Sequence, residues 1–187
     1  DVCSSDLGNE IRRFGEEMLF QTLKETNIDA ISNSGVKHII TADPHAYNAL
    51  KKDYTDMPPV EHISQFITRN IKTGSLKLRS VEDPSKVYVY HDACYLGRHN
   101  DVYEDPRAAI DAIPGLKRVE MDGNCQDRSF CCGGGGLMLF YEPEEEQRMG
   151  VVRVEMAQKA GADYIVTACP FCLVNIEDAI KVAGLEG

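Results

Sequence analysis

Apolar residues recur at helical spacing from about Leu7 to Thr26, where Phe14, Met18, Phe20 and Leu23 alternate with polar positions such as Gln21. Asn27 is the expected stop. A short β-like run, Lys37-His38-Ile39-Ile40-Thr41, closes at Asp43-Pro44, and a helix is predicted from Ala46 to Tyr54. Met57-Pro58-Pro59 breaks the chain, and a second amphipathic helix is predicted from Ile63 to Lys72, ending at Gly74. Ser80 to Ser85 reads as a polar linker.

The second half opens on Lys86-Val87-Tyr88-Val89-Tyr90, a strand rich in β-branched and aromatic residues. A helix around Pro106 to Ile113 and a strand from Lys117 to Met121 follow, then a glycine-rich turn from Cys131 to Gly136. A helix is expected to begin near Pro143, because Glu144, Glu145 and Glu146 in its first turn favour the helix dipole. Tyr164 to Thr167 is the next strand, and Pro170 opens the last helix. Strands alternating with helices predict an α/β fold with mainly parallel pairing.

Laid on itself at an offset of 126 residues, the chain repeats. Gly35 to Ala46 falls on Gly161 to Cys172 with five of twelve positions identical and the apolar strand positions in agreement. Two tandem, similar α/β units are therefore expected, residues 1–80 and 81–187. Cys3 falls near the register of Cys131 and Cys132, and the chain opens at Asp1 without an initiator Met. The first unit is accordingly expected to be truncated at its start, in a piece of a longer protein.

Composition narrows the chemistry. A hydrophobic fraction of 43% and a charged fraction of 27% are ordinary for a globular chain, and no stretch approaches the length of a membrane span. Thirty acidic against twenty basic residues leave a net charge of −10, spread along the chain. That argues against nucleic acid or an anionic membrane surface as the main partner. Seven cysteines, an odd count without a secretory signal, fit metal or redox chemistry in a reducing cytoplasm better than a disulfide framework.

Five of those cysteines form a pattern. Thirty-six residues separate Cys94 from Cys131, and another thirty-six separate Cys132 from Cys169. Cys169 and Cys172 make a CxxC at a strand-to-helix turn, where two thiolates can converge beside a helix N-terminus. Cys131 and Cys132 precede Gly133, Gly134, Gly135 and Gly136, which permit positive φ and free backbone N–H groups to point at sulfur. Cys94 follows the strand end His91-Asp92-Ala93. Strand ends of a parallel sheet share one edge, so the five thiolates can meet. Five exceed the four ligands of a structural zinc and suit an iron–sulfur assembly.

The pattern Cys94, Cys131-Cys132-Gly133, Cys169-Pro170-Phe171-Cys172 resembles the cysteine-rich CCG domain of heterodisulfide reductase catalytic subunits and of glycolate oxidase and glycerol-3-phosphate dehydrogenase iron–sulfur subunits. His91-Asp92-Ala93-Cys94-Tyr95-Leu96-Gly97-Arg98 is similar to it as well. The resemblance implies one 4Fe–4S cluster, non-cubane in some members, held by Cys94, Cys131, Cys132, Cys169 and Cys172, with Gly133 to Gly136 lining the cluster loop. It further implies an electron-transfer subunit or domain of an oxidoreductase complex. Such a subunit relays electrons between a flavoprotein or dehydrogenase partner, or a ferredoxin-like domain, and a quinone or disulfide. Its place would be in the cytoplasm, or at the cytoplasmic face of the membrane through partners. Leu137-Met138-Leu139-Phe140 stands where the family carries Arg and Trp. In the first unit, Asp43-Pro44-His45-Ala46 replaces the CxxC, so a single cluster is expected.

Plainer readings hold for the remaining candidates. Cys125 is a spare thiol in a polar loop, His38 a strand residue, and His62 precedes a helix and could face the first unit's empty site. His91 is a candidate for a hydrogen bond to a cluster sulfur, and His99 lies on the other flank of Cys94. The glycine run lacks the Lys-Ser/Thr of a phosphate loop, and Glu142 to Glu146 suits a solvated helix start. The alternative function is a non-redox scaffold in which four of the cysteines hold zinc.

Overall fold

A computed structural model describes residues 6–141 and 148–185. In chain order the elements are α1 (Asn9–Arg13), α2 (Glu17–Ser34), β1 (Ile39–Thr41), α3 (Pro44–Lys52), β2 (Val60–His62) and α4 (Ile63–Lys72). They continue with β3 (Val87–His91), α5 (Glu104–Asp111), β4 (Lys117–Val119), α6 (Met149–Lys159), β5 (Tyr164–Thr167) and α7 (Pro170–Val182). β1 pairs with β2 in one parallel sheet, and a second parallel sheet runs β4-β3-β5. The α/β class and the parallel pairing are as the pattern predicts.

β3 is the central strand. Val89 pairs with Val119 on one side and Ile165 on the other, and is wholly buried because helices cover both faces of a parallel sheet. Asp163 fixes the start of this register: its carboxylate accepts from Val87 N at 2.8 Å and from Lys86 Nζ at 3.2 Å.

The first predicted helix is two. Gly15 adopts φ +91° and breaks the run, leaving Phe14 and Met18 exposed while Phe20 is fully buried. α2 then passes straight through Asn27 and stops only at Gly35, whose φ of +68° makes a left-handed cap. Asn27 is no stop because it is buried and satisfied: its Nδ2 donates to Tyr54 Oη and to the Asp6 carbonyl, both at 3.0 Å. α3 begins two residues before the predicted Ala46, since the Asp43 side chain accepts from His45 N at 2.9 Å and Pro44 takes the first helical position. β2 is an addition to the predicted elements, three residues long with a Glu at its centre. The helix start expected near Pro143 lies outside the described residues, and α6 is described from Met149.

One core joins residues from both ends of the chain. Tyr47 from α3 packs with Ala93, Leu96, Val102, Val154, Ile176 and Ala179, and Cys132, Cys169 and Cys172 are part of the same cluster. A separate core under α1 and α2 holds Phe20, Ile31, Ala49, Leu50 and Tyr54.

Candidate metal centre

Cys94 lies just past the end of β3, Cys169 just past the end of β5, and Cys131-Cys132 in the loop that leaves β4. Because the three strands are parallel, their C-terminal ends share one edge, and the loops leaving them converge there. Cys169 is the residue before the first turn of α7 and Cys172 sits within that turn. Cys132, Cys169 and Cys172 are buried, while Cys94 and Cys131 are half-buried.

The structure brings together all five thiols that the spacing singles out. Cys132 Sγ lies 3.3 Å from Cys172 Sγ. Cys94 stands close enough to Cys131, Cys131 to Cys132, and Cys169 to Cys172 for each thiol to shift its neighbour's ionisation, so the five sulfurs form one linked series. The glycines act as expected: Gly133 N donates to Cys131 Sγ at 3.3 Å and Gly134 N to Cys132 Sγ at 3.4 Å. Gly133 takes φ +90°, and a Cβ there would stand 3.0 Å from Met149 Cβ; one on Gly134 would stand 3.2 Å from the Phe171 carbonyl. Asn175 donates from Nδ2 to the Cys132 carbonyl, tying the loop to α7.

Five sulfurs this close cannot all ionise unaided. Hydrogen bonds from Cys132 and Cys94, opposed by burial and helped by Gly133 N–H, hold Cys131 far below the ordinary thiol range. Cys169 is likewise lowered, first by Cys172. Cys94, Cys132 and Cys172 are driven up, each mainly by the neighbouring sulfur to which it is bound, with burial adding to it. A set of buried thiols with crowded negative charge and converging N–H donors fits a thiolate-ligated polynuclear metal centre.

His91 is buried behind the sulfurs, a ring nitrogen within 4.8 Å of Cys132 and Cys172 Sγ. Burial and then Arg153 push its pKa down to about 3, so the ring is neutral. Asp92, next along, faces away: it takes both Nη atoms of Arg107 at 2.6 and 2.8 Å and accepts from Gln126 N at 2.8 Å. Arg107 also binds Glu120, which leaves Asp92 neutralised in a buried fork.

Other candidates go elsewhere. Cys125 stays outside the sulfur chain, its thiol raised by burial. His38 pairs with Glu61 at 3.4 Å. His62 is buried and caps α4 in a reciprocal box with Gln65, its Nε2 3.3 Å from the Ala42 carbonyl. His99 stacks on Tyr95, whose ring His45 meets edge-on, and His45 stacks on Phe171 at 4.6 Å between centroids. Nδ1 of His45 lies 2.6 Å from Glu10 Oε1, an ion pair met off the in-plane N–H direction. Arg153, Asn175 and Glu10 carry no sequence signal, for each reads as an ordinary helix residue.

Residues 88–177 match the CCG cysteine-rich domain. That stretch takes in all five sulfurs of the linked series. The chain is 39% identical over 182 residues to the probable iron-sulfur-binding oxidoreductase FadF of Bacillus subtilis, covering 96% of this chain and 25% of that protein. It is 37% identical over 193 residues to the EtfAB:quinone oxidoreductase of Syntrophomonas wolfei, covering 96% of this chain and 26% of that one. It is 34% identical over 181 residues to a subunit of the dihydromethanophenazine:CoB–CoM heterodisulfide reductase of Methanosarcina barkeri, covering 91% and 43%. The chain thus spans from a quarter to under a half of the length of these curated relatives. Within the CCG domain, the glycine turn and CxxC turn meet across one buried seam, and Asn175 pins them.

Proposed function

We propose that Cys94, Cys131, Cys132, Cys169 and Cys172 hold one 4Fe–4S cluster and that the chain is the electron-transfer part of an iron–sulfur oxidoreductase. The observation that carries this reading is the gathering of five thiols at one sheet edge, with Cys132 Sγ and Cys172 Sγ 3.3 Å apart at its middle. Two of the relatives, a probable iron-sulfur-binding oxidoreductase and a heterodisulfide reductase subunit, support it. When bound, the cluster would accept and release single electrons.

The protein's share of the work is positional. Gly133 and Gly134 present N–H groups to sulfur, which favours added negative charge and steadies the reduced state. Burial of Cys132, Cys169 and Cys172 keeps water from that side of the centre. The donor would be a flavoprotein or dehydrogenase partner, directly or through a ferredoxin-like domain, and the acceptor a quinone or disulfide. One relative, the EtfAB:quinone oxidoreductase, favours a quinone over a disulfide as the other redox partner. Among the described residues no helix is long and apolar enough to cross a membrane, and a place in the cytoplasm or, through partners, at the cytoplasmic face of the membrane is part of this proposal.

Anaerobic iron, sulfide and zinc analysis, paired with EPR of oxidised and reduced protein, tests the reading. About four irons and four sulfides per chain with a redox-responsive signal are expected. Zinc without sulfide in protein kept from air would replace it with the scaffold reading.

A further inference from the structure

Arg153 is wholly inaccessible to solvent, and among the described residues no carboxylate lies within ion-pair distance of it. Its Nε donates to His91 Nδ1 at 2.9 Å, one Nη to the Asn124 carbonyl at 2.9 Å and the other to Ser129 Oγ at 3.4 Å. Asp92, beside His91 in the chain and itself buried, is already held by both Nη atoms of Arg107. A guanidinium stays protonated in proteins, so a full positive charge is buried here with only neutral acceptors directly on it.

The charge needs counter-charge: Asp92 contributes first but is shared with Arg107, and the thiols of Cys125, Cys132 and Cys172 supply the rest. His91 touches both sides: Arg153 donates to its Nδ1, and a ring nitrogen lies within 4.8 Å of the Cys132 and Cys172 sulfurs. The Arg153 bond also decides what His91 can be. With the Nδ1 lone pair taken, the neutral ring carries its proton on Nε2, so neither nitrogen offers a lone pair to a metal. His91 is therefore a hydrogen-bond donor beside the centre and not a sixth ligand.

We infer that Arg153 is the buried counter-charge of the thiolate centre, a positioning residue that fixes the His91 tautomer and makes the centre easier to reduce. This rests on the cluster reading proposed for the five cysteines. One electron from the titrant adds one negative charge to the centre with no bond made or broken. A fixed cation nearby favours that state.

The test is a set of midpoint potentials for the purified chain, with iron and sulfide measured on every sample. Arg153→Gln removes the charge but keeps two N–H donors for His91 and Asn124. Arg153→Met removes both, and Arg153→Lys keeps the charge. The Gln and Met variants should hold wild-type iron and sulfide and shift the potential negative by at least a factor of about ten in the reduction equilibrium, about 59 mV for one electron. The Lys variant should stay closer to wild type than either. Equal potentials in all four proteins, or an equal shift in the charged and neutral variants, would overturn the inference and leave Arg153 as packing. Zinc without sulfide in the wild-type chain would sink the cluster reading separately. The inference is then read from the zinc dissociation constant, which should rise at least about tenfold in the Gln variant and not in the Lys variant.

Discussion

His45 and Phe171 occupy the same position of the 126-residue repeat, and their rings stack on each other at 4.6 Å with planes 19° apart. The turn that lacks cysteines in the first half is thus the surface against which the CxxC turn of the second half is packed.

The pair between His45 and Glu10 should make stability depend on pH. Burial works to lower the pKa of His45, but the Glu10 carboxylate outweighs it and holds the ring above its ordinary 6.5. Burial likewise works to raise Glu10, and His45 outweighs it, holding the carboxyl below its ordinary 4.5. The histidine's contribution is full below 6.5 and fades as pH rises through its folded value. The carboxylate's contribution is full above 4.5 and fades as pH falls through its own. Denaturant unfolding of wild type and His45→Gln should show the largest gap between about pH 4.5 and 6.5, shrinking by about pH 9. A gap independent of pH would rule the charged pair out.

Cys132→Ser or Cys172→Ser should abolish stable metal binding, because each removes one end of the 3.3 Å contact at the middle of the sulfur chain. The loss should exceed the roughly 10–100-fold drop in affinity seen on losing an outer-shell partner. Cys125→Ser should leave metal content unchanged, since that thiol lies outside the linked series. Iron content after anaerobic reconstitution separates the two classes.

Arg107→Ala should destabilise the fold by roughly 3–5 kcal/mol, as breaking one side of a buried pair leaves Asp92 charged and uncompensated. Adding Asp92→Asn should restore part of that loss. If the double variant is no more stable than Arg107→Ala in urea, the penalty lies in packing against Tyr90, over whose ring the guanidinium sits at 5.2 Å.

Gly133→Ala should lower stability by about 1–3 kcal/mol through its φ of +90° alone, before the 3.0 Å approach to Met149 is counted. Gly135→Ala should be near neutral, with no heavy atom in reach of the new Cβ. Paired thermal melts decide this, and a Gly135 variant as damaged as Gly133 would contradict it.

Asn27→Leu should cost about 1–3 kcal/mol, because Tyr54 Oη and the Asp6 carbonyl lose their shared donor in a buried place. Tyr54→Phe in the same background should then add only the loss of the Tyr54 Oη bond to the Leu7 carbonyl at 3.1 Å, which a double-mutant cycle measures directly.

The α/β alternation and the five sulfurs were legible because both rest on short-range pattern: two-residue and 3.6-residue periodicity for the elements, and a strand-end position for each cysteine. The features that escaped the pattern depend on partners far away in the chain. Asn27 reads as a helix stop until Tyr54 is known to sit beside it, and Gly15 interrupts a stripe that periodicity alone would continue. β2 is too short and too polar to announce itself, and is held in place by pairing with β1. At the site, His91 could be singled out by its nearness to Cys94. Arg153 could not, since a buried guanidinium and an exposed one look alike in a helical sequence.

His62 shows what the joint core means for handling this protein. Its buried ring lies against the Ala42 carbonyl and close to that of Ala168, which again are repeat-equivalent positions. Tyr47, fifteen residues earlier, shares its hydrophobic surroundings with Cys172 and Ile176. A gene trimmed to begin at residue 81 would keep all five clustered cysteines yet expose the wall against which two of their turns are moulded. Such a shortened product should come out of cells as aggregate or as metal-poor protein, so the smallest useful expression unit includes the half that carries no ligands.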